Sequence, residues 1–552
     1  MELCKHKTTI NLVPDRINES PDYFCTWQAQ LFCTNDGGPQ AQRDHMTEES
    51  VFGKNIGSTP EEREANDRKL GIGWASHLYK KARRDLIYLM DDSWDIPVGA
   101  VKNQSPWYGS QILARDKFPS FFGEGEDFDP ARNTAAMKKL SEAIKALGWR
   151  GIGGWICIQK SPLATEKTDE DYWRERMKWS NDAGWLYWKV DWGNDMHKYA
   201  VRRLMTELRF EYAPNLRVEH ALMPEIIPFA DTYRTYDVFT LLAIPITLSK
   251  LEEDFGFDAA PGHLGIINCM DEVYTAAALG CSIDVTRHDM VGSLPDGRPD
   301  PSFPALHRNL KTKTTEVLRT VRWHRIAPAF PVNGSQTFID PVKLTDSWDV
   351  VDQKSEIEAW WKYTDGDHIE RTGPARISRG MKPAKVGPSC FAMPDNITAS
   401  GGNSDDIVRL KEPLAPFVVS AKHPCGAVSV GTLARTQGRE CVTPLCEIEL
   451  EIGDADTVGV FGYFGKLILK GVKPGARILM QDLAGDSAYD VTEFCGNADG
   501  RLTIPGGLIN TLGRLENPVG DTSAPGMILK TIDLFDNPTS AYQIGDASRQ
   551  FD

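Results

Sequence analysis

The feature that most constrains this chain is an alternation. Between residues 20 and 330, short apolar, β-prone runs recur, and segments with helical periodicity separate them. The runs are Tyr23-Phe-Cys-Thr-Trp-Gln28, ending near Trp27; Asp85-Leu-Ile-Tyr-Leu-Met-Asp-Asp-Ser-Trp94; 151–158; 184–193; 216–220; 231–238; and shorter ones near 264–268 and 281–286. Helical patterns occupy 60–84, 130–147, 169–183, 195–211 and 270–279. Strands joined by helix-length crossovers pair in parallel, and eight of them suit a closed (β/α)8 TIM barrel. An open doubly wound sheet is the weaker reading, because no G-x-G-x-x-G or G-x-x-x-x-G-K-[ST] loop follows any run. Beyond about residue 335 the pattern changes to short runs such as 417–421, 427–431, 448–452 and 466–469, cut by Gly, Pro and Asp. The expected class is α/β: a barrel over 1–335, with residues 1–20 as a loose lead-in, and an antiparallel β-sandwich-like domain over 336–552.

At 552 residues the chain exceeds one hydrophobic core, in line with more than one domain. Its formal net charge of −15 disfavours nucleic acid and anionic membranes as partners, whereas an uncharged ligand such as a sugar fits. No apolar span approaches the roughly 18 residues of a membrane helix, so no membrane partner is expected. The N-terminal Met-Glu-Leu-Cys-Lys-His-Lys lacks an apolar core and a cleavage site. The eleven cysteines are scattered, odd in number and without C-x-x-C spacing. Reduced thiols in a cytoplasmic protein is the simplest account, with export still open if a leader was removed. A homo-oligomer is compatible with all of this.

Charge collects where the runs end. In Gly184-Trp-Leu-Tyr-Trp-Lys-Val-Asp-Trp-Gly193 the only charges, Lys189 and Asp191, lie two apart at the C-terminal edge, hence on one face of a strand. Asp91 and Asp92, then Glu219, then Arg234 and Asp237 close other runs in the same way. Strand C-termini form the active face of a TIM barrel, and unrelated structural needs would have placed acids at the opposite rim too. A retaining glycosidase needs two carboxyl groups about 5–5.5 Å apart, one to attack the anomeric carbon and one to protonate the leaving oxygen. Asp191 and Asp237 are the pair that could meet so, with Lys189 keeping Asp191 ionised. Tryptophans would stack on the sugar's apolar faces. The insertion at 95–130, with Trp107, Tyr108 and Phe118-Pro119, is a candidate active-site loop. For any one residue, a salt bridge or helix cap at a barrel rim explains it as well. Two rival classes stay open: Mg²⁺ chelation by Asp191, Glu219 and Asp237 with Lys189 as base, and a non-catalytic sugar-binding protein. His197, His220 and His288 read as structural histidines.

At this point the residues resemble a known family. The aromatic first strand with Trp27, Met-Asp-Asp-Ser-Trp at 90–94, Lys117-Phe-Pro119, Gly154-Trp155, Trp188-Lys-Val-Asp-Trp-Gly193, Val218-Glu219 and Tyr233-Arg-Thr-Tyr-Asp237 follow one another in order. With the later Cys269-Met-Asp-Glu-Val-Tyr and Asp284, this succession resembles the retaining α-galactosidases of clan D, glycoside hydrolase families 27 and 36. The resemblance implies that Asp191 is the nucleophile and Asp237 the general acid/base. It makes Lys189, Arg234, Asp91, Asp92, Trp27 and Trp155 sugar-binding residues, and Glu219 the reader of the 2-substituent. It implies an oligosaccharide or glycoconjugate with an α-linked terminal galactose or related sugar as substrate, no metal and no cofactor. Transfer to another sugar is the runner-up to hydrolysis. The sequence departs from the family in three places, one being the insertion at 95–130, which has no obvious counterpart in the simplest members. Arg234 and Asp237 are three apart where many members of family 27 have four, and Glu219 is followed by His-Ala-Leu where Cys-Glu-Trp or a Gly-rich turn is common.

Overall fold

The computed structural model describes residues 3–32, 44–53, 73–100, 106–123, 129–235, 242–286, 310–349, 368–394, 407–438 and 440–532. Its first half is built on β1 (Tyr23–Cys25), β2 (Ile87–Met90), β3 (Gly151–Ile156), β4 (Tyr187–Val190), β5 (Arg217–His220), β6 (Thr232–Arg234), β7 (Ile266–Asn268) and β8 (Asp284–Val285). Each strand pairs in parallel with the next from β1 to β7, and β8 pairs with β1. A parallel bridge between Asn268 and Ser282, with the Ser282 N–H bonded to the Ile267 carbonyl at 2.9 Å, joins β7 to β8 and closes the ring. This is the (β/α)8 barrel expected from the alternation.

Local chemistry sets the helix starts. Helix α1 (Trp27–Phe32) follows β1 directly, so Trp27 opens a helix instead of ending the strand. Helix α2 (Pro130–Ala146) starts with proline at its first position, and the Asp129 carboxylate accepts from the Ala131 N–H. In α3 (Asp169–Asp182) the Thr168 hydroxyl caps the Asp171 N–H, and three acids fill the first turn, where the helix dipole favours them. Helix α4 (Tyr199–Tyr212), α5 (Ala243–Asp254), α6 (Val273–Leu279) and α7 (Leu310–His324) continue the outer layer. Of the helix expected at 60–84, residues 60–72 lie outside the described residues, and the rest holds the short helix Trp74–His77 and the start of a 3-10 turn at Arg83–Asp85.

Inside the barrel, alternate strand residues face one another across the ring. Tyr23, Cys25, Ile87, Leu89 and Tyr187 pack together within the ring. Register then places Trp155 beside Lys189, Lys189 beside Glu219, Glu219 beside Thr232, Arg234 beside Asn268 and Tyr23 beside Asp284.

The second half is a sandwich. An eight-stranded sheet and a five-stranded sheet enclose a core that includes Val430, Val460, Met480 and Leu529 from the first and Ile448, Leu467, Leu469 and Ile504 from the second. Pairing is mostly antiparallel, with parallel pairs where Arg376–Arg379 meets Phe417–Lys422, Val428–Leu433 meets Thr457–Phe461, and Glu447–Glu451 meets Lys466–Lys470. The outer face of the larger sheet, with Phe417, Val419, Phe461 and Ile528, joins the barrel's own core, which includes Ala277, Val317, Val321 and Trp323. The N-terminal segment is not a loose lead-in. Leu3 lies in the sandwich core, Thr8 N–H donates to the Ala488 carbonyl and Ala488 N–H to the Ile10 carbonyl, both at 2.8 Å.

Candidate active site

At the C-terminal end of β4, Asp191 is the centre of the described mouth. Its Oδ2 accepts the Trp155 Nε1–H at 3.0 Å, and Arg234 Nη2 lies 3.2 Å from Oδ1. Arg202, from α4, donates to the Asp191 backbone carbonyl at 2.9 Å and so fixes the end of the strand from behind. Burial alone would push this carboxyl up; Arg234, Lys189 and the Trp155 N–H outweigh it and hold Asp191 below the usual carboxylate range. Its side chain retains 10% exposure, against 3% for Arg234 and 4% each for Lys189 and Asp91. The group best placed to meet a ligand is therefore the one kept ionised.

Lys189 contributes to holding Asp191 ionised but makes its own ion pair elsewhere. Lys189 is not the main counter-ion of Asp191: its Nζ lies 2.7 Å from Asp91 Oδ2 and 3.4 Å from the Cys25 sulfur. Burial disfavours its ammonium, but Asp91 and Cys25 outweigh that and raise its pKa. Asp91 also accepts from the Cys25 thiol at 3.0 Å and from the Asp92 N–H at 2.8 Å, and Asp92 accepts the Ser93 hydroxyl at 3.0 Å. Trp94 donates to the Trp155 carbonyl at 2.9 Å and Lys117 to the Ser93 carbonyl at 2.9 Å, tying the turn after β2 to β3 and to the loop. The Asp-Asp-Ser-Trp turn is thus a positioned anionic ledge beside Asp191.

Glu219 lies deeper than a residue that reads a ligand. It is fully buried, Tyr23 Oη donates to it at 2.8 Å, Tyr187 Oη at 2.7 Å and Asn268 Nδ2 at 2.9 Å, and Arg234 Nε stands 3.3 Å away. Burial, opposed by Arg234, pushes its carboxyl up to about 7. Trp27 is half-buried at the start of α1, and Trp155, Trp192 and Tyr108 form an aromatic cluster with ring centroids 6.0–6.1 Å apart. Tyr108 brings the 95–130 insertion to the mouth. Asp237 and His288 lie outside the described residues. His220 is bound to Thr206 at 2.8 Å and Arg202 at 3.3 Å, with burial and Arg202 keeping it neutral, which is a structural arrangement.

The structure therefore brings together Asp191, Arg234, Lys189, Asp91, Asp92, Trp155 and, below them, Glu219. Sequence reasoning missed Tyr23, Cys25, Tyr187 and Asn268. The first three sit two or four residues before a site residue or strand end, so the same alternation that selected Lys189 and Asp191 also selects them. A cavity of about 620 Å³ between the insertion and α2, lined by Ile112, Leu113, Phe121, Phe122 and Asp95, includes none of the mouth residues. Among the described residues no group of three His, Cys, Asp or Glu could hold a metal ion, and no helix is long and apolar enough to cross a membrane.

No family model and no curated protein matches the chain. Solved structures similar to it include α-galactosidase I from Mortierella vinacea, at 12% identity over 93% of this chain and 97% of that one, with a TM-score of 0.36. An α-galactosidase from Saccharomyces cerevisiae matches at 9% identity over 93% and 98%, also with a TM-score of 0.36. A family 27 β-L-arabinopyranosidase from Geobacillus stearothermophilus matches at 12% identity over 45% and 73%, with a TM-score of 0.29.

Proposed function

We propose that this protein is a glycosidase that removes an α-linked terminal galactose or related sugar by double displacement, with residues 1–335 as the catalytic barrel and 336–552 as a β-rich companion that also carries the helix Gly506–Leu512. The observation that carries the reading is Asp191: a carboxylate at the C-terminal end of a barrel strand, held ionised by Arg234, oriented by an indole N–H and walled by aromatic rings. Attack by Asp191 on the anomeric carbon forms a glycosyl ester while Asp237, as general acid, protonates the departing oxygen. Asp237 then takes a proton from water, whose attack releases the sugar with its original configuration. Asp91 and Asp92 accept from ring hydroxyls, and Lys189 fixes Asp91 for that task.

This reading resembles the clan D pattern recognised in the sequence, and a Mg²⁺-binding alternative fits less well because Glu219 is already engaged by three donors and an arginine. The test is a panel of 4-nitrophenyl glycosides (α-galactose, α-N-acetylgalactosamine, β-L-arabinopyranose, α-glucose) on wild type and Asp191→Ala. Turnover of one α-galactose-like substrate by wild type, reduced at least about 10⁴-fold in the variant, is expected. Equal turnover by both proteins would remove Asp191 from the mechanism.

A further inference from the structure

Beneath Asp191 lies a hydrogen-bond arrangement that a single hydrogen cannot satisfy. Tyr23 Oη stands 2.8 Å from Glu219 Oε1 and 2.8 Å from Asp284 Oδ2, both oxygens buried. A phenol has one hydrogen to donate, so two ionised carboxylates would leave one oxygen facing the Tyr23 lone pairs across 2.8 Å. In a dry interior that contact is repulsive unless one of the acids carries a proton and donates it back.

The charge balance points the same way. The groups that face this trio are Cys25 on β1, Asp91 after β2, Tyr187, Lys189 and Asp191 on and after β4, Thr232 and Arg234 on β6, Asn268 on β7, and Thr286 after β8. Asp271, after β7, is engaged by Lys313 at 3.3 Å, and Arg202 stands behind Asp191. Among the described residues the cations Lys189, Arg234 and Arg202 stand here against five buried carboxyls, Asp91, Asp92, Asp191, Glu219 and Asp284, an excess of negative charge that a bound proton lowers. Without it, Arg234, placed between Asp191 at 3.2 Å and Glu219 at 3.3 Å, is divided between two anions.

We propose that Glu219 and Asp284 share one proton through Tyr23 at neutral pH, and that this shared proton is a positioning device that leaves Arg234 to the Asp191 carboxylate. Burial raises both carboxyls, in agreement with the geometry. The consequence for Asp191 rests on its reading as the nucleophile; the proton itself does not. It is a coupled pair, so the proton belongs to the trio and not to either acid.

Difference infrared spectroscopy of the full chain at about pH 7 tests this, since a protonated carboxylic acid has a carbonyl stretch that a carboxylate lacks. Glu219→Gln and Asp284→Asn should each remove the same single carboxylic acid band, and the double variant should remove no more. Asp191→Ala should leave that band in place, and Tyr23→Phe should shift it. If either single isosteric variant fails to fold, the other together with Tyr23→Phe still decides the matter. Loss of no band, or loss of two independent bands in the double variant, would overturn the proposal. Because no substrate is used, its failure is separate from any failure of the glycosidase reading.

Discussion

At the scale of single residues, the site depends on which donors keep Asp191 charged. The Trp155 N–H bonds the carboxylate at 3.0 Å, and such a bond favours the ionised form. Trp155→Phe keeps the ring and deletes the donor, so the Asp191 pKa should rise. The acid limb of kcat/KM should move to higher pH, and kcat/KM at its optimum should fall about 10-fold, read from pH profiles of the activated glycoside. Asp95 titrates in the opposite sense. It is buried with one oxygen unpartnered, and burial raises its carboxyl to about 7. In the unfolded chain it ionises in the ordinary carboxylate range. The stability it contributes is thus whole below about pH 4, falls as the unfolded chain ionises, and is lost once pH has risen through about 7. Asp95→Asn can keep the bond from the Gln111 N–H through its amide oxygen, so by calorimetry it should raise the Tm most at about pH 8, less at about pH 5 and little at about pH 3. Single residues were unevenly legible in the sequence. Lys189 and Asp191 announce themselves as the only charges in an apolar run, but their partners come from strands far apart in the chain, so spacing could not show that Lys189 belongs to Asp91 and Arg234 to Asp191.

At the scale of elements, strand identity was readable where an apolar run precedes or follows a helix, and the caps at Asp129 and Thr168 are side-chain signals that act locally. What local signals could not fix were strand ends. The strand expected to reach Trp27 stops at Cys25, and that expected over 151–158 stops at Ile156, since termination depends on which neighbour offers a hydrogen bond. The glycines of β3 show tertiary packing at work. A Cβ on Gly154 would stand 2.5 Å from the Trp185 ring and 3.1 Å from Trp94 Nε1, the atom that bonds the Trp155 carbonyl. Both indoles are buried and cannot yield freely. Gly154→Ala should therefore destabilise by about 1–3 kcal/mol in denaturant unfolding and, by displacing Trp94 and the ledge it anchors, lower kcat as well as Tm. A variant that unfolds like wild type would show that β3 tolerates the methyl and that Trp94 does not set the ledge.

At the scale of the whole molecule, the barrel and the sandwich meet at a joint that is both apolar and charged. Trp323 of α7 lies so close to the sheet that a Cβ on Gly459 would come within 2.9 Å of its ring, and Ser429 donates to the Ala278 carbonyl at 2.9 Å. Through this face runs Arg319, which is fully buried. It meets Asp482 of the sandwich with two bonds of 2.8 Å and also reaches Ser523 at 2.9 Å and Asn517 at 2.6 Å. The N-terminal residues reinforce the joint, since Leu3 to Ile10 pair with the sandwich before the chain enters β1. None of this was legible beforehand: a change of periodicity near residue 335 separates two architectures, whereas their adhesion depends on shape and on partners more than 150 residues apart. A bidentate buried pair gains little over an apolar one, but removing one member strands the other's charge. Arg319→Met should accordingly cost about 3–5 kcal/mol by leaving Asp482 unpaired, and Arg319→Met with Asp482→Leu should recover most of that loss. Calorimetry should show one transition for barrel and sandwich together in wild type. If Arg319→Met instead leaves the main transition in place and splits off a second, lower one, the two halves fold independently and the joint serves only to dock them.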